Sequence, residues 1–331
     1  AYRSALDHEL REVFAERQGF LYDVLRYHMG WTDQQGQPTD TPRPLYFPTL
    51  LALVSCQALS GDFQAALPAA AGVDLVHNFT LVHGDVQSAR PDAQDRPSIW
   101  WVWGPAQAIN AGDGLHALGR TTIMRLAQRG IPAEQVLHAV ESLDRACLAL
   151  CEGQYMDLEF QERMVVTSTA YFDMISRKTG ALTGSSAEAG ALAAGTDEPV
   201  WLKFRDMGIK MGMAWQVSQD IVDLWGGAGD GMTASNVLNK KKSLPLIHAL
   251  ENSSLAAKRE LGGIYMKRVL EPEDVSKLVQ ILDEAGSKVF SEAKASELMN
   301  QAIEALDGAD LADQGLENLK NLGQRVLEGG I

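Results

Sequence analysis

Two stretches of this sequence gather polar and charged side chains at close spacing. The first runs His77-Asn-Phe-Thr-Leu-Val-His83-Gly84-Asp85-Val-Gln-Ser88 and continues through Arg96-Pro97-Ser-Ile-Trp100 to Gln107-Ala-Ile-Asn-Ala-Gly112-Asp113. The second runs Gly212-Met-Ala-Trp215-Gln216-Val-Ser-Gln219-Asp220-Ile-Val-Asp223-Leu-Trp-Gly226 and is followed by Lys240-Lys-Lys-Ser-Leu-Pro245. Aromatic faces such as those of Trp100, Trp101, Trp103 and Trp215 can stabilise a cation, although tryptophans at helical spacing also simply fill a core. Cys147 and Cys151 stand four apart, on one face of a helix. A zinc site there would need two further ligands, and no nearby His or Cys supplies them, so the pair reads as small apolar packing. Lys240–Lys242 reads as a solvated face with some power to guide an anion. No glycine-rich loop has the strand–helix setting of a nucleotide site, and no Ser/His/Asp constellation is recognisable.

Composition narrows the setting of these residues. The chain has 331 residues, 46% of them hydrophobic and 22% charged, which is enough apolar material for a large core and excludes global disorder. With 29 basic and 43 acidic side chains the net charge is −14, which argues against nucleic acid, because phosphate backbones are met by clustered Lys and Arg. No apolar run approaches the roughly 20 residues of a membrane span, and Asp74 interrupts the best candidate, Leu67–Val76. The N-terminus, which mixes acidic and basic residues, does not read as a secretory signal, and three cysteines make no disulfide framework. The expectation is a cytoplasmic protein without a transmembrane segment.

The elements that must position these residues are helical nearly throughout. Leu6, Leu10, Val13 and Phe14, then Phe20, Leu21, Val24 and Leu25, recur at three- and four-residue spacing. Thr32–Pro44 reads as a loop, with helices over Leu45–Leu59 and Phe63–His83, and Gly84–Pro97 as a second loop. Helices follow at Trp100–Ala111, Leu115–Gln128, Ala133–Cys151 and Val165–Lys178. Gly180–Gly195, rich in Ala, Gly and Ser, suits either close helix packing or a flexible loop. Val200–Trp225 is a long apolar-rich helix, Gly226–Asn239 a loop, and Glu271–Asp274 a helix start with acids in its first turn. We find no strand alternation and no linker, so the expectation is one all-α domain over residues 1–331 with a helical tail from about Ser287.

The two polar stretches together resemble the trans-isoprenyl diphosphate synthase (polyprenyl synthetase) family. Arg43-Pro44, Gly153-Gln-Tyr-Met-Asp157-Leu and Tyr171-Phe-Asp-Met-Ile-Ser-Arg-Lys178-Thr179-Gly180 add to the likeness, which covers about residues 39–250 in order. The resemblance implies an all-α bundle around a deep apolar cavity. It also implies ionisation of an allylic diphosphate followed by attack of isopentenyl diphosphate. Two D-D-x-x-D motifs hold Mg²⁺ in the family, and the metal stabilises the leaving diphosphate as its charge grows.

This chain departs from the family at the chemistry. The family's direct metal-ligand positions carry Gly84, Ser88 and Gln219, none of which offers an anionic oxygen, while Asp85, Asp220 and Asp223 stand at positions that are mostly outer-shell in the family. Mg²⁺ binding is therefore expected to be weak or absent, and no metal ligand is assigned. The family's Gly-Lys-Arg before Arg-Pro is Thr39-Asp40-Thr41, and its paired arginines after the first motif align with Ala93 and Gln94. Asp92 and Asp95, in a polar loop, read as solvated surface. Each lost charge-assisted contact is worth roughly 1.5–3 kcal/mol, so isopentenyl diphosphate should bind poorly.

Arg43, His77, Lys178, Thr179, Gln216 and Arg96 remain as candidate polar contacts. Phe79 sits at the family's chain-length position, where a bulky aromatic resembles enzymes of the fifteen- to twenty-carbon class, and Trp215 stands where the family usually has Phe. The resemblance thus implies substrate binding by Arg43, His77, Phe79, Lys178, Thr179 and Trp215, with Asp85, Gln216, Asp220 and Asp223 as catalytic candidates. Two functions compete. One is a divergent synthase that performs terpene cyclisation or prenyl transfer to a non-standard acceptor. The other is an inactive homologue, either a regulatory subunit or an isoprenoid-binding protein. A homodimer, or a heterodimer with a related synthase, is the expected assembly.

Overall fold

The computed structural model describes residues 1–39, 41, 43–93, 96–226 and 235–330. The chain order is α1 (Tyr2–Phe14), α2 (Phe20–His28), α3 (Phe47–Ser60), α4 (Leu67–Gln87), α5 (Ile99–Trp103), α6 (Pro105–Ile123), α7 (Ala133–Glu162) and α8 (Ser168–Ile175). There follow α9 (Ala181–Ala193), α10 (Glu198–Trp225), α11 (Ser235–Leu238), α12 (Leu244–Asn252), α13 (Leu255–Met266), α14 (Pro272–Glu284), α15 (Ser287–Glu304) and α16 (Gly315–Leu327). The expected all-α class is what the chain adopts. A two-residue antiparallel ladder, Asp92–Ala93 with Arg96–Pro97, corrects the expectation of no strand.

Contacts divide the chain into two compact units. The first comprises Ala1–Asp144, Ser185–Leu202 and Asp310–Gly315, and the second Arg145–Gly184, Lys203–Ala309 and Leu316–Ile331. Helices α7, α9 and α10 each contribute to both.

In the first unit α4 is nearly all core, with Leu67, Ala69–Ala71, Val73, Leu75 and Val76 buried. The segment Gln64–Gln87 is long and apolar enough to cross a membrane by length and composition, which corrects the reading that no such run exists. Its most apolar stretch is 72% buried within the protein, so those side chains serve packing. Helix α6 lies so close to α4 that a Cβ on Gly119 would stand 2.8 Å from the Gly72 carbonyl oxygen.

The expected loop at Gly84–Pro97 begins later than its composition suggests. Helix α4 runs on to Gln87, because burial of Val82 against the protein outweighs the weak helix propensity of Gly84. The expected helix Trp100–Ala111 is broken at Gly104, whose φ of 85° suits glycine, and Pro105 opens α6. Residues Ala181–Ala193 resolve the Gly/Ala/Ser stretch as a helix, and a Cβ on Gly190 would meet the Ala52 carbonyl oxygen at 2.2 Å.

In the second unit Leu224, Leu246, Leu261, Leu278 and Leu282 form a shared core. Helix α14 starts with a capping box between Glu271 and Asp274, as its acidic first turn suggests. The segment after Ser287 is no loose tail: α16 buries Leu319, Leu322 and Val326. One turn of helix, α11, falls inside the expected loop Gly226–Asn239; residues 227–234 lie outside the described residues.

The α4–α6 contact sets a test. Gly119→Ala should destabilise the protein by about 1–3 kcal/mol, because the new methyl meets backbone. Gly263→Ala, with nothing within 4 Å of the new atom, should be neutral or stabilising by up to about 1 kcal/mol. Urea unfolding of the two variants measures both, and equal stabilities would show that α4 and α6 are not locked at Gly119.

Candidate functional site

The first unit carries the His77–Ser88 stretch on the last three turns of α4. Gly84 and Asp85 are helical and Ser88 is the C-cap, its N–H donating to the Gly84 carbonyl at 2.9 Å. Asp85 is 6% exposed and lies 3.9 Å from Arg90. Burial pushes its pKa up to about 6, against the pull of Arg90.

One helical segment earlier, a buried network is anchored on Asp74. Arg43 Nη2 donates to Asp74 Oδ2 at 2.6 Å, Thr49 Oγ1 to Oδ1 at 3.1 Å, and Asn78 Nδ2 to Oδ2 at 3.1 Å. Asp74 is fully buried and Arg43 only 11% exposed at its side chain, so the guanidinium is answered inside the protein. His28 Nε2 bonds Asn78 Oδ1 at 2.9 Å. His77 lies against the Tyr46 ring at a tilt of 56° with centroids 4.6 Å apart, and burial lowers its pKa to about 4, so it is neutral at pH 7.

Arg96 is likewise engaged. Its Nη1 donates to the Tyr27 carbonyl at 2.7 Å and its Nη2 to the His28 carbonyl at 3.1 Å, which caps the C-terminus of α2. Phe79 packs edge-on to His83 and His116, at 4.8 and 5.4 Å between centroids. His83 Nε2 reaches the Ile109 carbonyl at 3.1 Å, so that nitrogen is a donor held within the helices. Trp103 packs on Tyr27, Trp100 Nε1 donates to the Arg90 carbonyl, and Trp101 is 62% exposed. Of the two cysteines read as buried, Cys147 is, whereas Cys151 is exposed. Asp40 and Asp95 lie outside the described residues, and Asp92 is exposed.

The second unit brings the other candidates together. Residues Ser176–Gly180 form one π-helical turn between α8 and α9. A Cβ on Gly153 of α7 would lie 2.3 Å from the Lys178 backbone nitrogen, so glycine lets the turn rest on α7 itself. Asp157 follows one helical turn later on the same face. Lys178 Nζ accordingly donates to Asp157 Oδ2 at 2.6 Å, and Lys241 Nζ stands 3.5 Å from the same oxygen.

Burial raises the Asp157 pKa, and the two ammonium groups more than reverse it, holding the carboxyl below its ordinary range. Lys241 is lowered, first by the nearby Lys178 charge and then by burial. Beside this cluster, Thr179 Oγ1 donates to Gln216 Oε1 at 2.8 Å and Gln216 Nε2 to Asp220 Oδ1 at 3.2 Å, which orients the amide. Asp220 Oδ2 accepts the Tyr171 hydroxyl at 2.7 Å and the Leu244 N–H at 3.2 Å. Burial pushes the Asp220 carboxyl up to about 6, opposed by these three donors. Asp223 accepts the Asn236 N–H, at 3.3 and 3.2 Å from its two oxygens, and Trp215 is half-buried on α10.

The Lys240–Lys242 run is therefore not the solvated face expected of it. None of the three is exposed, and Lys242 is buried with its ammonium 4.8 Å from the Tyr265 ring centroid. Lys241, Asp157 and Tyr171 are functional candidates that sequence reasoning missed as site residues. The signal available was a lysine run placed directly before the apolar Leu244–Ala249.

A polyprenyl synthetase family profile matches residues 46–282. The chain belongs to the polyprenyl synthetase family. It is similar to the geranylgeranyl diphosphate synthase of Mycobacterium tuberculosis, 34% identical over 87% of this chain and 82% of that protein. It is also similar to the (2E,6E)-farnesyl diphosphate synthase of Mycobacterium bovis, 26% identical over 96% and 89%. Among solved structures, polyprenyl synthetase from Streptomyces coelicolor A3(2) matches with a TM-score of 0.89 and 29% identity, covering 98% of this chain and 97% of that one.

The family implies Mg²⁺, and the residues present fit it poorly. Asp220 has both oxygens hydrogen-bonded, both oxygens of Asp223 face the Asn236 N–H, and Gly84, Ser88 and Gln219 bring no anionic oxygen. Among the described residues, no group of three His, Cys, Asp or Glu side chains is placed to hold a metal.

The titrating groups give a pH test with two signs. His28, like His77, is pushed to about 4 by burial, from an ordinary 6.5. The unfolded chain then binds the proton first, so each histidine removes stability as pH falls from 6.5 towards 4. Asp85 and Asp220, raised to about 6 from 3.8, act in the opposite sense and add stability as pH falls through 6. The unfolding free energy of the double variant His28→Gln/His77→Gln should therefore fall less, or rise more, than that of the wild type between about pH 7 and about pH 4.5. Urea titrations at those pH values check this, and identical pH slopes would show that both histidines titrate freely.

Proposed function

We propose that this polyprenyl synthetase family member acts on the allylic diphosphate of an isoprenyl substrate of the fifteen- to twenty-carbon class. Its chemistry in this reading is cyclisation, or prenyl transfer to an acceptor other than isopentenyl diphosphate. One observation carries it: cationic side chains are answered differently in the two units. In the first, Arg43 is neutralised by buried Asp74 and Arg96 is held by carbonyls, while Thr39, Asp40 and Thr41 stand where the family has Gly-Lys-Arg. In the second, two ammonium groups, Lys178 and Lys241, share one carboxylate, with the oriented Thr179–Gln216 pair beside them. An allylic diphosphate thus has a cationic place to bind, and isopentenyl diphosphate has lost the groups that would hold it.

In this reading Lys178 and Lys241 take the diphosphate, Gln216 orients it, and Trp215 faces the isoprenoid chain. The relatives named for geranylgeranyl and farnesyl diphosphate synthesis support the substrate class. The substitutions Gly84, Ser88 and Gln219 also favour a second reading, an inactive partner of an active synthase or an isoprenoid-binding protein.

Incubation of the purified protein with geranyl, farnesyl and geranylgeranyl diphosphate, with and without isopentenyl diphosphate, followed by mass spectrometry of the extracts, tests the proposal. A hydrocarbon or alcohol formed without isopentenyl diphosphate, well above the protein-free control, is the expected result. Efficient formation of elongated diphosphates would overturn it, and no turnover of any substrate would favour the second reading.

A further inference from the structure

The poor fit of the carboxylates to a divalent cation leaves the question of what neutralises a diphosphate in this protein. We propose that the second unit binds the diphosphate group without metal, using Lys178 and Lys241 as the cations and Asp157 as the counter-ion it competes with. This rests on the allylic-diphosphate reading above and extends it to how that group is held.

The geometry supports the assignment from three sides. Lys178 Nζ is 2.6 Å and Lys241 Nζ 3.5 Å from one and the same oxygen, Asp157 Oδ2. Two ammonium groups converge on one carboxylate oxygen and repel each other across it, and Asp220, the other carboxylate that acts on Lys241, attracts it without a direct contact. An arriving dianion relieves that repulsion and gains two charge-assisted contacts. The next carboxylate, Asp220, does not compete for the lysines as a direct partner, because its oxygens are taken by Tyr171, Gln216 and the Leu244 N–H. Finally, the side-chain ends have room to turn to a ligand: the Lys178 and Lys241 side chains are 21% and 28% exposed, whereas Asp157 is 6% exposed and stays behind. In a site of this kind two ammonium groups supply the positive charge that metal ions would otherwise bring.

The roles of the three residues separate cleanly by substitution. Lys178→Gln and Lys241→Gln each remove a charge-assisted contact and should weaken anion binding about tenfold or more. Asp157→Asn removes the competing negative charge and should tighten binding several-fold. That gain cannot come from a damaged fold, so it keeps the test decisive if a lysine variant proves unstable.

The measurement is calorimetric titration of the full-length protein with inorganic pyrophosphate, once in excess Mg²⁺ and once in EDTA. The expected result is a Kd in EDTA within about threefold of that in Mg²⁺, weakened in the lysine variants and tightened in Asp157→Asn. A Kd at least tenfold weaker in EDTA would overturn metal-free binding and leave the allylic-diphosphate reading standing. Binding that survives in EDTA but is unmoved in all three variants would place the anion elsewhere and overturn the assignment. No binding of pyrophosphate or of geranylgeranyl diphosphate in either buffer would overturn this inference and the reading beneath it together.

Discussion

A charge buried among helices has to be answered by a partner, and this requirement organises both halves of the protein. Leaving one member of a buried ion pair unpaired costs about 3–5 kcal/mol, more than most single packing contacts contribute. The first unit meets the requirement at Asp74 and Arg96: fully buried Asp74 collects Arg43, Thr49 and Asn78, and Arg96 directs both its Nη atoms to the end of α2. The second unit meets it with a surplus cation, since Asp157 faces two lysines. A site that binds an anion needs positive charge that the fold has not already consumed, which is why the proposed reading rests on Lys178 and Lys241 and not on Arg43 and Arg96.

The surplus depends on backbone geometry. Lys178 reaches Asp157 because the π-helical turn at Ser176–Gly180 lies against α7 at Gly153, where any side chain would strike the Lys178 backbone. A π turn widens the helix by one residue and shifts the register of the next helical segment, and such turns gather at functional sites for that reason. Here it puts Lys178 towards α7 and Thr179 towards α10, where Thr179 meets Gln216. Gly180 and Gly212 let α9 and α10 pack closely just beyond, with a Cβ on Gly212 only 2.0 Å from Thr183 Oγ1. Small residues in this stretch are therefore a packing requirement that brings two polar side chains into contact across helices.

How much of this is legible in sequence depends on how local each interaction is. The helices over Val200–Trp225 and Glu271 onward are readable because apolar spacing and first-turn acids act within a few residues. The end of α4 is not, because Gly84 looks like a helix terminator until the burial of Val82 is known. Family motifs point to Lys178, Thr179 and Gln216, and the structure does bring them into one unit. They also point to Arg43 as a substrate contact, but its answering charge is Asp74, 31 positions away, and nothing local to Arg43 announces it. Lys241 is missed for the converse reason: a triple lysine has the composition of a solvated surface, and only the packing of Lys242 on Tyr265 and the reach to Asp157 show that two of the three turn inward.

The placement of the first motif also explains why its substitutions are tolerable there. Gly84, Asp85 and Ser88 occupy the last turn and cap of α4, where unpaired carbonyls give the helix end a partial negative charge. An anion brought to such an end is opposed by roughly 0.3–1 kcal/mol unless a cation stands between. Asp85 itself already feels an unfavourable setting, since burial raises its carboxyl to about 6 with Arg90 no nearer than 3.9 Å. Two further carboxylates at positions 84 and 88 would deepen that field and could be sustained only by bound metal. Without them, glycine and serine relieve the helix end of charge, and the Ser88 N–H closes its last turn on the Gly84 carbonyl. In the proposed reading, the absence of anionic side chains at positions 84 and 88 and the pairing of two lysines with one carboxylate in the second unit belong together: a diphosphate held without metal at a helix C-terminus would draw its positive charge from lysines.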